Sequence, residues 1–266
     1  MAEPAAPRAI AAAMQAATIF DLAGAVALVT GASSGLGARF AEVLAANGAR
    51  VALAGRRREA LAERAEAIAA RGGTAMVVPF DVRDHDRIPE AYAEVEAQLG
   101  PVTVLVNNAG ISAARRVAEL SLAEWREMLD VDLDALFLMA REAARRMPAG
   151  GSIINVSSIL GVRPRAEMAA YSVAKAGVAQ LTRIMALELA GRQVRVNTLA
   201  PGYVVTGMNA AFFASPDSAP LVAEIPLGRV GTVDDFDGAI LFLASAASRF
   251  MTGSLLVVDG GHVLVL

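Results

Sequence analysis

The chain has 266 residues, 55% of them hydrophobic, with a formal net charge of −3 and no cysteine. Disulfides, thiolate nucleophiles and zinc–thiolate sites are thereby excluded, which fits a cytoplasmic protein. Mixed acids and bases leave no electrostatic footprint for nucleic acid or an anionic membrane, and the two histidines, His85 and His262, stand too far apart in sequence to suggest a metal cluster.

Residues 1–20 are Ala-rich and read as a loosely ordered or helical extension, because the basic start is too weak for a signal or transit peptide. An apolar run at 26–30 predicts the first strand, ending at Gly31. A helix is expected at 36–47, a strand at 51–54, a helix at 59–70 and a strand at 75–80. A helix at 86–99, a strand at 103–106 and one long helix at 122–147 come next. The remaining expectations are a strand at 152–156, a helix at 169–189, a strand at 194–199, a helix at 233–245 and a strand at 255–258. Apolar runs are broken by Arg, Asp or Gly before the roughly 18 residues of a membrane-spanning helix. Seven strands alternating with helices predict an α/β fold, a parallel sheet covered on both faces, within one domain over 21–266. The one long irregular stretch is 203–228, and a loop of that length in a compact domain usually has a function.

Gly31, Ser33, Ser34, Gly35, Leu36 and Gly37 lie between the first strand and the first helix. A strand–glycine turn–helix unit offers free backbone N–H groups and a positive helix end to a phosphate. Glycines let the chain turn tightly and let a pyrophosphate come close, so a dinucleotide site is expected here. After the second strand, NAD sites usually carry an acid for the ribose hydroxyls, whereas an arginine accommodates the 2′-phosphate of NADP. This chain reads Gly55-Arg56-Arg57-Arg58. No carboxylate repels the phosphate and a bidentate partner is at hand. NADP(H) is favoured over NAD(H), with Arg56 as the main contact, although three arginines also suit a solvated turn.

Among 24 basic residues Lys175 is the only lysine, and it lies four residues after Tyr171, one of three tyrosines. On a helix that spacing brings the two side chains together on one face. A tyrosine can serve as general acid or base for an alcohol–ketone pair if its pKa approaches the working pH. Lowering it by three units from about 10 takes roughly 4 kcal/mol of differential stabilisation. A compact ammonium one turn away supplies part of that, and a planar guanidinium would fit less well. Ser158, at the end of the fifth strand, can donate to a substrate oxygen.

These motifs together resemble the short-chain dehydrogenase/reductase family over about 21–262: the glycine loop; Asp81-Val82; Asn107-Asn108-Ala109-Gly110; Ser158; Tyr171-x-x-x-Lys175; Asn197 with Pro201-Gly202; and Asp259-Gly260-Gly261. The resemblance implies a Rossmann-like, doubly wound fold, a nicotinamide cofactor, and hydride transfer at a carbon–oxygen centre. It implies Ser158, Tyr171 and Lys175 as catalytic residues. It assigns Asp81 and Val82 to the adenine, and Asn108, Ala109 and Gly110 to the length of the cofactor, which Tyr171 and Lys175 also contact. Pro201, Gly202, Val204 and Thr206 go to the nicotinamide side. A homo-oligomer, tetramer or dimer, is also implied. One departure stands out. The family usually has a catalytic Asn in the long helix, whose backbone carbonyl helps hold a water linked to the lysine. Here Asp132 takes that place. A backbone role survives the change, and a buried carboxylate could pair with Lys175.

The substrate is expected to be a small alcohol or carbonyl compound. Met208, Phe212, Phe213, Leu221 and Val222 in the 203–228 loop favour one with an apolar part, though loop packing explains the same residues. Arg163 and Arg165 suit an acidic substrate or a solvated loop. A nucleotide-binding scaffold that has lost turnover is the alternative, with Asp132 as its best support. An epimerase or dehydratase of related fold fits less well, because those relatives carry a larger C-terminal region.

Overall fold

The structure, a computed structural model, describes residues 16–207 and 209–265. The expected N-terminal extension lies almost wholly outside the described residues, apart from one helical turn at Ala16–Ile19, and so does Met208. From there the chain alternates β1 (Val26–Thr30), α1 (Gly35–Ala46), β2 (Arg50–Gly55), α2 (Arg58–Ala69), β3 (Thr74–Pro79), α3 (Arg87–Leu99) and β4 (Val104–Asn107). It continues through α4 (Leu122–Leu129), α5 (Ala135–Arg146), β5 (Ser152–Val156), α6 (Ala169–Leu189), β6 (Arg195–Pro201), α7 (Asp237–Ala244) and β7 (Leu255–Val258).

All seven strands form one parallel sheet in the order β3-β2-β1-β4-β5-β6-β7. Every residue of β1, β4 and β5 is buried. Strands covered on both faces have no solvent side, which is why they read as unbroken apolar runs. On one face Phe40 and Leu44 of α1 pack with Ile240 and Leu243 of α7. On the other, Tyr92 and Val95 of α3 pack with Met139 and Ala143 of α5 and Met185 and Leu189 of α6. Each large side chain so buried contributes roughly 1.5–3 kcal/mol.

Three expectations need correction. The stretch expected to be irregular at 203–228 carries short helices at Ala210–Phe213 and Ala219–Ala223, too brief for a hydrophobic period to reveal. The helix expected at 122–147 is interrupted by a π-helical turn at Asp130–Asp134, which sets Val131 and Asp132 inward together. The apolar spacing continues through the turn, so periodicity cannot reveal it. The helix expected at 233–245 opens with a 3-10 turn, Val233–Phe236, closed by a capping box between Thr232 and Asp235. The topology places a crevice where β1 is flanked by β2 on one side and β4 on the other. In open parallel sheets such a reversal, at the strands' C-terminal ends, is where ligands bind.

Candidate active site

The glycine loop sits at this reversal. Gly31 (φ +68°) ends β1 and Gly35 (φ +58°) begins α1, both in the left-handed region that glycine adopts without strain. At Gly37 a side chain would collide with the Asn108 amide and the Gly31 carbonyl. The Ser34 hydroxyl does not cap α1, so the N–H groups of its first turn remain available. The loop is therefore a donor-rich cradle in which Gly31 and Gly37 leave no room for a side chain, which fits a pyrophosphate.

The arginines after β2 divide their contacts. Arg57 donates through Nη2 to Ser33 Oγ (2.8 Å) and Ser34 Oγ (2.6 Å). Arg56 is largely exposed and lies 3.8 Å from the Asp81 carboxylate. Arg57 was not singled out from sequence, because three adjacent arginines are equivalent there and only the turn geometry separates them. Asp81 accepts from the Arg83 N–H (3.0 Å) and guanidinium (2.7 Å). The hydrogen bond from Arg83 holds its carboxyl below the usual carboxylate range, against the opposing pull of burial. Val82 beside it is buried.

Thr30 ties the two sides of the crevice together. Its hydroxyl accepts from the Asn108 and Ala109 N–H groups, both at 3.0 Å, and its carbonyl accepts from Asn108 Nδ2 at 3.1 Å. Beyond Ala109, Gly110 packs directly on Asp132, with Lys175 beside it. Asp132 is fully buried, delivered by the π-helical turn, and its carboxylate accepts from the Ile111 N–H at 3.2 Å. Burial raises its carboxyl above the usual carboxylate range, against the opposing pull of Lys175. Lys175 Nζ is 3.2 Å from Asp132 Oδ1 and donates to the Val156 carbonyl, also at 3.2 Å. The carboxylate thus pairs directly with the only lysine.

Lys175 Nζ lies 5.6 Å from the centre of the Tyr171 ring, on the same face of α6. The start of α6 is pinned to β5 by Ser157, whose hydroxyl donates to the Lys175 carbonyl at 2.7 Å. Ser158, extended and buried at the end of β5, accepts from the Leu160 N–H at 3.1 Å, leaving its own hydroxyl hydrogen free to donate. Gly202 lies tight against Asp259 and donates to the Val258 carbonyl at 2.9 Å, fixing the turn that follows Pro201. Val204 bridges to Gly231, and the Thr206 methyl reaches the glycine loop at Gly35. The glycine loop, the Asn108–Gly110 segment and Thr206 thus stand close together at the C-terminal ends of β1 and β4, with Lys175 beside Gly110.

A doubly wound parallel sheet with this cradle at its reversal and a buried lysine beside a tyrosine defines a nicotinamide-dependent oxidoreductase. The chain belongs to the short-chain dehydrogenase/reductase family, acting at CH–OH and C=O groups. A family profile described as Enoyl-(Acyl carrier protein) reductase matches residues 31–262. The gluconate 5-dehydrogenase of Gluconobacter oxydans is 38% identical over 251 residues, 93% of this chain and 98% of that protein. The galactitol 2-dehydrogenase of Cereibacter sphaeroides is 40% identical over 253 residues, 93% and 98%. A solved structure from Agrobacterium tumefaciens with bound NADP superposes with a TM-score of 0.85 at 36% identity, covering 92% of this chain and 99% of that one.

Proposed function

We propose that the chain interconverts a secondary alcohol and its ketone with NADP(H), using Tyr171 as general acid and base. The observation that carries this is that Lys175 stands beside Tyr171 near the start of α6, which Ser157 ties to the C-terminal end of β5 next to Ser158. The bound nicotinamide supplies or accepts the hydride. The Tyr171 phenol exchanges the proton with the substrate oxygen, and Ser158 donates a hydrogen bond to that oxygen. Lys175 places its positive charge beside the phenol, and Asp132 offsets part of that charge. NADP(H) is preferred over NAD(H) because no acid follows β2, Arg56 and Arg57 stand at the cradle, and the Agrobacterium relative holds NADP.

Replacing Tyr171 by Phe tests the reading. Turnover scored by NADPH absorbance on a panel of alcohols and ketones should fall 10²- to 10⁴-fold, the usual worth of a positioned acid–base group. Cofactor binding, followed by quenching of the single Trp125, should persist. A variant that turns over as fast as the parent would remove Tyr171 from the chemistry. A parent with no turnover on any substrate would favour the scaffold. The protein is also proposed to be a homo-oligomer, because α6 leaves Val173, Ile184 and Leu187 exposed along one stripe.

A further inference from the structure

Four side chains outside the catalytic set meet beside the nicotinamide end of the crevice. Tyr203 follows the Pro201-Gly202 turn, and burial pushes its phenol up, with Tyr171 among the lesser influences on it. Arg165, from the segment between Ser158 and Tyr171, donates through Nη1 to the Tyr203 hydroxyl at 2.8 Å. His262, directly after Gly261, packs its ring against Tyr203 with centroids 5.6 Å apart. It is fully buried, and neither ring nitrogen has a hydrogen-bond partner. A buried polar group without partners costs about 1–3 kcal/mol, so such a ring calls for a ligand.

The fourth group is Glu224, half-exposed, from the segment that covers the crevice. A single carboxylate oxygen, Oε2, lies 3.4 Å from His262 Nε2 and 4.0 Å from Arg165 Nη1. Both separations exceed a well-made charged hydrogen bond, which runs about 2.7–2.9 Å. Glu224 therefore sits between two basic groups without satisfying either. The Arg165 guanidinium and the His262 imidazole both lie near this point, with the Tyr203 hydroxyl held beside Arg165, a set that matches an anion better than a neutral hydroxyl. Beside Glu224 an open cavity of about 550 Å³, lined by Ala223, Pro226 and Val265, gives its side chain room to withdraw.

We infer that Arg165, His262 and the Tyr203 hydroxyl form a carboxylate-binding subsite, that Glu224 occupies it in place of ligand, and that the substrate is a hydroxy acid or keto acid. The inference rests on the oxidoreductase reading for the reaction but not for the binding, and the two are tested apart. Binding of cyclohexanecarboxylate and of its carboxamide to the full chain is measured by calorimetry in the parent, Arg165→Met and Glu224→Gln. The acid should bind at least tenfold tighter than the amide. Arg165→Met should erase that difference, and Glu224→Gln, which removes the competing carboxylate, should tighten the acid severalfold.

Turnover of gluconate against glucitol, and of 4-hydroxycyclohexanecarboxylate against its amide, should show the same selectivity ratio and the same changes in it. Equal binding of acid and amide by the parent overturns the inference. So does a Glu224→Gln variant that binds the acid no better, or that loses glucitol instead, which would make Glu224 an acceptor for substrate hydroxyls. Alcohol oxidation without acid preference removes the subsite and leaves the oxidoreductase reading intact. Acid-selective binding without any turnover does the reverse.

Discussion

At the scale of single residues the crevice is governed by one buried charge pair. Asp132 and Lys175 are both almost without exposure and 3.2 Å apart. Removing one member of such a pair leaves the other uncompensated, which typically costs 3–5 kcal/mol. Asp132→Asn keeps the shape and can still accept from Ile111. It is expected to destabilise the chain by up to about 3 kcal/mol, because the crevice lets some water reach the ammonium. An ammonium without its counter-charge should stabilise the deprotonated phenol more, so the acid limb of the kcat/KM profile should move to lower pH. Thermal unfolding and a pH–rate profile check the two parts, and an unmoved limb would show that Asp132 does not bear on the proton transfer. Arg57 carries a second expectation. Arg57→Ala should raise KM for NADP at least tenfold and leave KM for NAD nearly unchanged, as steady-state kinetics with both cofactors would reveal. Much of this crevice is legible in the sequence, since Tyr171, Lys175, Ser158 and the glycine loop each sit at a spacing with a mechanism. What the sequence leaves undetermined is which arginine reaches the loop and where the Asp132 carboxylate points. The first depends on one turn, and the second on helical geometry that the apolar pattern does not encode.

At the scale of elements the strands were readable to within a residue or two, because burial on both faces makes them apolar throughout. The long helices were readable except where backbone geometry departs from 3.6 residues per turn, and the short helices at Ala210–Phe213 and Ala219–Ala223 are too brief to show a period. The π-helical turn at Asp130–Asp134 is such a place, and π turns of this kind are often found at functional sites. The element after it is held by charge as well as by apolar packing. Glu142 of α5 is buried and pairs with Arg146 (2.5 Å) and Arg145 (3.4 Å), while Arg146 reaches Glu96 of α3 at 2.9 Å. Burial alone would raise the Glu142 carboxyl. The Arg146 and Arg145 contacts outweigh it and leave the carboxyl below its usual 4.5. A depressed carboxylate stabilises the fold above its unfolded value and ceases to do so as pH falls through its folded one. Glu142→Gln should therefore lower Tm by several degrees at pH 7, and the difference from the parent should shrink steadily below about pH 4.5. A difference that persists undiminished at pH 3 would mean that packing, not charge, holds this helix.

At the scale of the whole molecule two surfaces stand out among the described residues. The last strand, β7, forms one edge of the sheet and is only half-buried. The outer face of α6 exposes Leu187 at 81% together with Val173 and Ile184. Edge strands and apolar stripes are where chains pair. Sedimentation should find a species larger than the 27.5 kDa chain, and Leu187→Glu should shift it toward the monomer. A parent that sediments as a monomer would leave that stripe without a partner. The shape of the subsite around Arg165, Glu224 and His262 could not be read from the chain, because it joins three distant loops that only the fold brings together. The single lysine has a different kind of consequence. Apart from the two histidines every other basic side chain is a guanidinium, and Lys175 is only 4% exposed, in the crevice. Amine-reactive resins, dyes and cross-linkers will therefore find no ε-amino group on the outer surface. Attachment must go through the α-amine, carboxyl groups or an introduced cysteine, and any acylation at Lys175 becomes a direct gauge of how far the crevice has opened.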